Sequence, residues 1–101
     1  MGYIARCYGR IELKDAESAK RFTNSLKKTH CDVFRHDTDV VVSGITDYNE
    51  SGWVECLNQE KGNLINGSFT FIGEDNKTWR FVASEKDWYK EIGYTVWKRV
   101  D

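Results

Sequence analysis

The chain has no proline, and no apolar run is longer than three residues, as in Val40-Val41-Val42. Without proline, turns fall to Gly, Asn, Asp and Ser, each with its own way of reversing the backbone. Runs of three are far short of the ~18 apolar residues that span a bilayer. The opening residues, MGYIARCYGRIEL, alternate and carry charge, which argues against a secretory leader. Cysteine is sparse and odd in number: Cys7, Cys31 and Cys56, with no C-x-x-C pair. A secreted domain stapled by disulfides shows an even, denser set, so the expectation is free thiols in a cytoplasmic protein. An excess of either charge is also missing. The formal net charge is -1, which removes any global attraction to nucleic acid or an anionic membrane.

What is present is a globular composition. Hydrophobic residues make up 40% and charged residues 31% of 101 residues, enough for one domain, 1–101, with a modest core. No repeat, linker or low-complexity segment divides it. Tyr3 to Leu13 alternates: Tyr3, Ala5, Cys7, Gly9, Ile11 and Leu13 share one face, and Ile4, Arg6, Tyr8, Arg10 and Glu12 the other, the period of a half-buried strand. Gly9 within it suggests a bulge or a close neighbour. Asp15 is placed to cap a helix to about Thr29, in which Ala16, Ala19, Phe22 and Leu26 recur at helical spacing. Cys31 to His36 and Val40 to Thr46 read as a hairpin about Asp37-Thr38-Asp39. Tyr48 to Glu60 reads as a short helix, with Asn49 able to cap and Gly62 able to terminate. Strands follow at Ser68 to Ile72, Trp79 to Ala83 and a long final one, Trp88 to Val100.

The expected fold is therefore α+β, in the order β-α-β-β-α-β-β-β. It is one mostly antiparallel sheet of about six strands with two helices on one face. The first six elements follow the order of a ferredoxin-like core, with a C-terminal hairpin added.

Chemistry-bearing constellations are weak. His30, Cys31 and His36 lie close in sequence, but structural zinc wants four ligands in close pairs, and Cys7 and Cys56 are distant. Cys31 and His36 fall on opposite strand faces, roughly 17 Å apart at about 3.3 Å per residue, too far for a nucleophile and its base. There is no G-x-S-x-G, phosphate-binding glycine loop or H-E-x-x-H. Glu74-Asp75 sits where turn chemistry explains it. The reading is no catalytic residues, no metal and no cofactor.

Charge distribution is more informative. Seven basic residues lie between Arg6 and Lys28, and seven acidic ones between His30 and Glu60, with Arg35 the only Lys or Arg in the second segment. The plain explanation is solvated faces that neutralise each other on folding. The functional one is an acidic surface for a protein partner, made by Asp37, Asp39, Asp47, Glu50 and Glu55, with Tyr89 and Trp97 as aromatic anchors. The last strand carries aromatics on both faces, so one face is expected to be open, covered by a partner, or paired in a homodimer. The alternative is single-stranded nucleic acid on the stripe Arg6, Tyr8 and Arg10, although no second strand carries the RNA-recognition signature.

The segment Gly67-Ser68-Phe69-Thr70-Phe71-Ile72-Gly73-Glu74-Asp75, then Trp79-Arg80-Phe81, resembles a pattern of small uncharacterised bacterial and phage proteins, as does the opening strand. Glu85-Lys86-Asp87 departs from it, where a glycine would be usual. The resemblance implies an α+β fold and a mobile-element setting. It implies no activity. The expectation is thus a non-enzymatic protein-binding module, an inhibitor or accessory factor of such an element.

Overall fold

The structure is a computed structural model that describes residues 2–93 and 97–100. Its first strand, β1 (Tyr3–Leu13), keeps the alternation of the sequence: Ala5, Cys7, Ile11 and Leu13 are buried, and Ile4, Arg6, Tyr8 and Arg10 are exposed. Gly9 has φ +144, and a Cβ there would stand 2.1 Å from the Ser68 carbonyl oxygen of the neighbouring strand. Only glycine allows that approach. Gly67 repeats the arrangement against the Arg10 carbonyl oxygen, also at 2.1 Å.

Helix α1 (Ala16–Leu26) is capped by Asp15, whose Oδ1 accepts from the Ser18 amide at 2.8 Å. That hydrogen bond holds the Asp15 carboxyl below the ordinary aspartate range. Ala19, Phe22 and Leu26 are buried as the spacing requires, while Ala16 is exposed. The α-helix ends at Leu26, and a tight turn over Lys27–Thr29 hands the chain on. Strands β2 (Asp32–His36) and β3 (Asp39–Tyr48) then form the expected hairpin. Helix α2 (Glu50–Gln59) buries Trp53, Cys56 and Leu57. Asn49 stands at its N-cap, but its side chain accepts from the Ser51 hydroxyl instead of capping. Strands β4 (Leu64–Gly73), β5 (Thr78–Ser84), β6 (Asp87–Gly93) and β7 (Trp97–Val100) complete the chain.

All seven strands form one antiparallel sheet in the order β2-β3-β1-β4-β5-β6-β7, so the protein is an α+β fold with seven strands and two helices. The count corrects the expected six. A single strand from Trp88 to Val100 would run far past its partner β5, which has only seven residues. The overhanging amides would have no ladder partner. Instead β7 pairs antiparallel with β6, Gly93 opposite Trp97 and Lys90 opposite Val100.

Both helices lie on one face, over a core built on aromatic edges. Trp53 meets Phe71 at 4.8 Å and Phe69 at 5.9 Å, both edge-on, and Phe71 stacks on Trp79 at 5.6 Å. Such pairs add ~0.5–1.5 kcal/mol each beyond area burial. Glu60 is also buried without being orphaned: Arg21 donates to its two oxygens at 3.1 and 3.2 Å, and Asn63 at 2.9 Å. That cluster ties α1 to the end of α2. The expectation of three free thiols is corrected too. Cys7 and Cys31 are joined by a disulfide, with Cα atoms 7.5 Å apart, and only Cys56 is free. The sequence hid the pair because β1 and the residue before β2 meet only once the sheet forms. Burial pushes the Cys56 thiol up from its ordinary range.

Candidate functional site

The face of the sheet opposite the helices carries no secondary structure above it among the described residues. Its composition follows from strand register. Phe34, Val41, Arg10, Ser68, Val82 and Tyr89 run across it in one row, strand to strand. The next row is Asp32, Ser43, Tyr8, Thr70, Arg80, Glu91 and Arg99. Ile45, Arg6, Ile72 and Thr78 form a third, and Asp47 stands opposite Ile4 at its margin. Four large apolar side chains there are well exposed: Ile45 at 64%, Phe34 at 59%, Tyr8 at 50% and Ile4 at 41%. Ile4 and Ile45 border a recess of about 280 Å³, lined also by Arg6, Ile72, Gly73, Glu74 and Asn76.

The charges of this face largely answer one another. Arg10 Nη1 lies 2.9 Å from Asp39 Oδ1, Arg80 pairs with Glu91, and the Arg99 guanidinium sits 4.2 Å above the Tyr89 ring. Asp32 and Asp47, both exposed, flank the apolar group on β2 and β3.

The structure brings the alternative set together and disperses the acidic one. Arg6, Tyr8 and Arg10 stand side by side on the open face of β1, although Arg10 is engaged by Asp39. Asp37 lies in the β2–β3 turn, where its carbonyl accepts from Arg35 at 3.0 Å. Asp39 follows it. Asp47 is eight residues further along β3, roughly 26 Å away at about 3.3 Å per residue. Glu50 and Glu55 belong to α2, across the sheet. Glu50 is held by Lys90 at 2.7 Å, and Glu55 by Lys28. The Lys28 bond keeps the Glu55 carboxyl below its usual range. Tyr89 is on the open face, whereas the Trp97 side chain lies outside the described residues.

Residues that sequence reading did not single out, Phe34 and Ile45, are the most exposed large apolar groups among the described residues. The signal was masked by Val40-Val41-Val42, since three successive valines hide which parity of β3 faces the helices.

On the helix side, at the N-terminal end of α2, a cleft of about 660 Å³ opens between Tyr3, Tyr48, Trp79 and Ile92. Its polar groups form a relay. Trp79 Nε1 donates to the Tyr48 hydroxyl at 3.0 Å, and Tyr48 donates to Glu50 Oε1 at 3.1 Å. Burial, then the Glu50 charge, pushes the Tyr48 hydroxyl well above the ordinary phenol range. At the rim, Tyr3 donates to Asp75, which raises the Tyr3 hydroxyl to about 12 and lowers the Asp75 carboxyl. Each acid of the cleft already holds a partner, Lys90 for Glu50 and Lys77 at 3.8 Å for Asp75.

Fold and surface together define the class: a small α+β protein with an open, amphipathic seven-stranded sheet. No family model, curated protein or solved structure matches the chain. Among the described residues, no group of His, Cys, Asp and Glu could hold a metal ion, and no helix is long and apolar enough to cross a membrane.

Proposed function

We propose that this chain is a non-enzymatic protein-binding module that works through the open face of its sheet. The observation that carries the reading is the exposure of Ile4, Tyr8, Phe34 and Ile45 on one uncovered face, where Ile4 and Ile45 border a recess able to take an apolar side chain. Large exposed apolar patches rimmed by polar groups mark interaction surfaces. The rim supplies the partner's chemistry: Asp32 and Asp47 border the patch, which suits a protein with an apolar projection and basic flanks. This keeps the acidic and aromatic character expected from the sequence while moving it onto different residues. Asp47 and Tyr89 remain on the open face; Glu50 and Glu55, exposed on α2, lie on the other side of the sheet.

The order β4-β1-β3-β2 within the sheet supports reading the first six elements as a ferredoxin-like core extended by β5 to β7. The mobile-element setting, with the module as inhibitor or accessory factor, rests on the sequence resemblance. A cytoplasmic site belongs to the same reading.

The test begins with affinity capture from the native host and mass spectrometry of what is retained. The protein identified is then titrated against the wild type, Phe34→Ser/Ile45→Ser and Asp47→Lys. The reading requires the double variant to lose binding and Asp47→Lys to slow association at low salt. Equal binding by the double variant would remove the open face from consideration.

The second reading, single-stranded nucleic acid, is favoured by one observation, the adjacency of Arg6, Tyr8 and Arg10. Tight, salt-dependent binding of an oligonucleotide that Tyr8→Ala abolishes would put it first.

A further inference from the structure

Strand β2 is an edge of the sheet, five residues long, with Asp32, Phe34, Arg35 and His36 exposed and Val33 packed against the core. It joins β3 through a two-residue turn, Asp37-Thr38, so the closing pair His36–Asp39 is a hydrogen-bonded one. Antiparallel ladders alternate, which makes Phe34–Val41 and Asp32–Ser43 hydrogen-bonded pairs as well. The amides and carbonyls of Val33 and Arg35 therefore point outward, away from the sheet.

We propose that two copies of the chain join edge to edge through β2, antiparallel about a two-fold axis at Phe34. In that register Val33 of each copy faces Arg35 of the other, the pair whose backbone groups are free to bond. Four inter-chain hydrogen bonds result. Phe34 meets Phe34 of the second copy on the open face, in a non-hydrogen-bonded pair where side chains approach most closely. Asp32 meets His36 of the second copy at both ends. The segment is thus self-complementary in hydrogen bonding, apolar contact and charge together. The neighbouring registers are not. Centring on Arg35 sets it against its own copy, and centring on Val33 leaves His36 without a partner. Unpaired edges of this kind template strand addition unless they are blunted, and in the proposed register the charges of β2 meet across the two copies, Asp32 opposite His36, instead of repelling.

The pairing makes one sheet of fourteen strands, seven from each copy, and sets the two open faces side by side. It does not depend on those faces binding anything.

The experiment is sedimentation velocity of the full chain over a concentration series, with two variants. Arg35→Pro removes an outward amide and leaves the β2–β3 ladder intact, because proline is tolerated where the amide faces solvent at an edge. It should weaken dimerisation about tenfold or more, since two inter-chain bonds vanish. Far-UV circular dichroism and the melting temperature of the monomer should stay as in wild type. Phe34→Cys should cross-link to a covalent dimer under mild oxidation, and Val33→Cys should do so much more slowly, because only position 34 faces itself across the axis. A wild type that stays at 11.8 kDa at every concentration overturns the proposal. So does a dimer that Arg35→Pro leaves unchanged and Phe34→Cys fails to cross-link.

Discussion

Arg10 on β1 and Asp39 on β3 lie diagonally across the ladder, guanidinium to carboxylate at 2.9 Å. One comes from the basic opening segment and the other from the acidic middle. Folding pairs them, and it does the same for Lys28 with Glu55 and Arg21 with Glu60. Arg10 is half exposed, so the bond is a modest one. A double-mutant cycle of Arg10→Met with Asp39→Asn should return a coupling of about 0.5–1 kcal/mol at low salt, shrinking as salt is added. Coupling that grows with salt would contradict a simple ion pair.

The open face and the core should respond to substitution in opposite ways. Phe34→Ser and Ile45→Ser remove side chains that are more than half exposed, so stability should change by less than ~0.5 kcal/mol. Phe69→Ala empties a fully buried site against Phe22 and Trp53 and should cost about 3–5 kcal/mol. Urea unfolding of the three proteins checks both. A large loss from Phe34→Ser in dilute monomer would mean that this face is packed in solution.

Glu85 and Lys86 close the β5–β6 hairpin with φ of 51 and 65, a conformation that suits Asn-Gly and strains residues with a Cβ. Their amides bond to Ile65 and Leu64, so the turn is held in that shape. Replacing the pair by Asn-Gly should stabilise the protein by about 1 kcal/mol, a rise in melting temperature of about 4–8 °C. A lower melting temperature would show that the Glu85 and Lys86 side chains outweigh the backbone strain.

Gly9→Ala should fail where other surface changes succeed. Its Cβ would overlap the Ser68 carbonyl and sit at φ +144, so the β1–β4 register must break or shift. A cost of at least ~3 kcal/mol is expected, measurable by chemical denaturation. Gly62→Ala, with nothing within 4 Å, is the control and should be nearly neutral.

Acid should expose the helix cap. The Asp15 carboxyl is lowered by its bond to the Ser18 amide, so its folded value lies below its unfolded one. A depressed acid contributes stability above the unfolded value of about 3.9, and that contribution is lost as pH falls through the folded value. Asp15→Asn keeps an acceptor for the cap but cannot titrate. The melting temperature of wild type should therefore fall relative to Asp15→Asn as pH drops below about 4. Parallel curves from pH 6 to pH 2 would show that the cap bond carries no charge dependence.

Much of the fold was legible because it is local. Alternation in Tyr3 to Leu13 placed every buried residue of β1, and Asp15, Ala19, Phe22 and Leu26 placed α1. The end of β6 was not legible: nothing at Gly93 signals reversal until the length of β5 is known. The Cys7–Cys31 pair was hidden for a similar reason, since its partners come together only through sheet order. The candidate site was legible in part. Parity on β1 delivered Arg6, Tyr8 and Arg10 on one face, but the valine triplet concealed the parity of β3 and with it Ile45.

By itself the sequence determined which residues form strands and helices, because a period of two or of about 3.6 is a property of neighbours along the chain. It also determined the size and neutrality of the domain. Tertiary structure alone decided where the charges meet. Much of a one-sided acidic run in sequence became ion pairs, Asp39 with Arg10 at the start of β3 and Glu50, Glu55 and Glu60 with Lys90, Lys28 and Arg21 across the sheet, since strands carry side chains to positions set by register and not by chain distance. It alone decided, too, that the helices cover one face and leave Tyr8, Phe34 and Ile45 uncovered, because two helices of eleven and ten residues span only part of a seven-stranded sheet, and both connections cross on the same side.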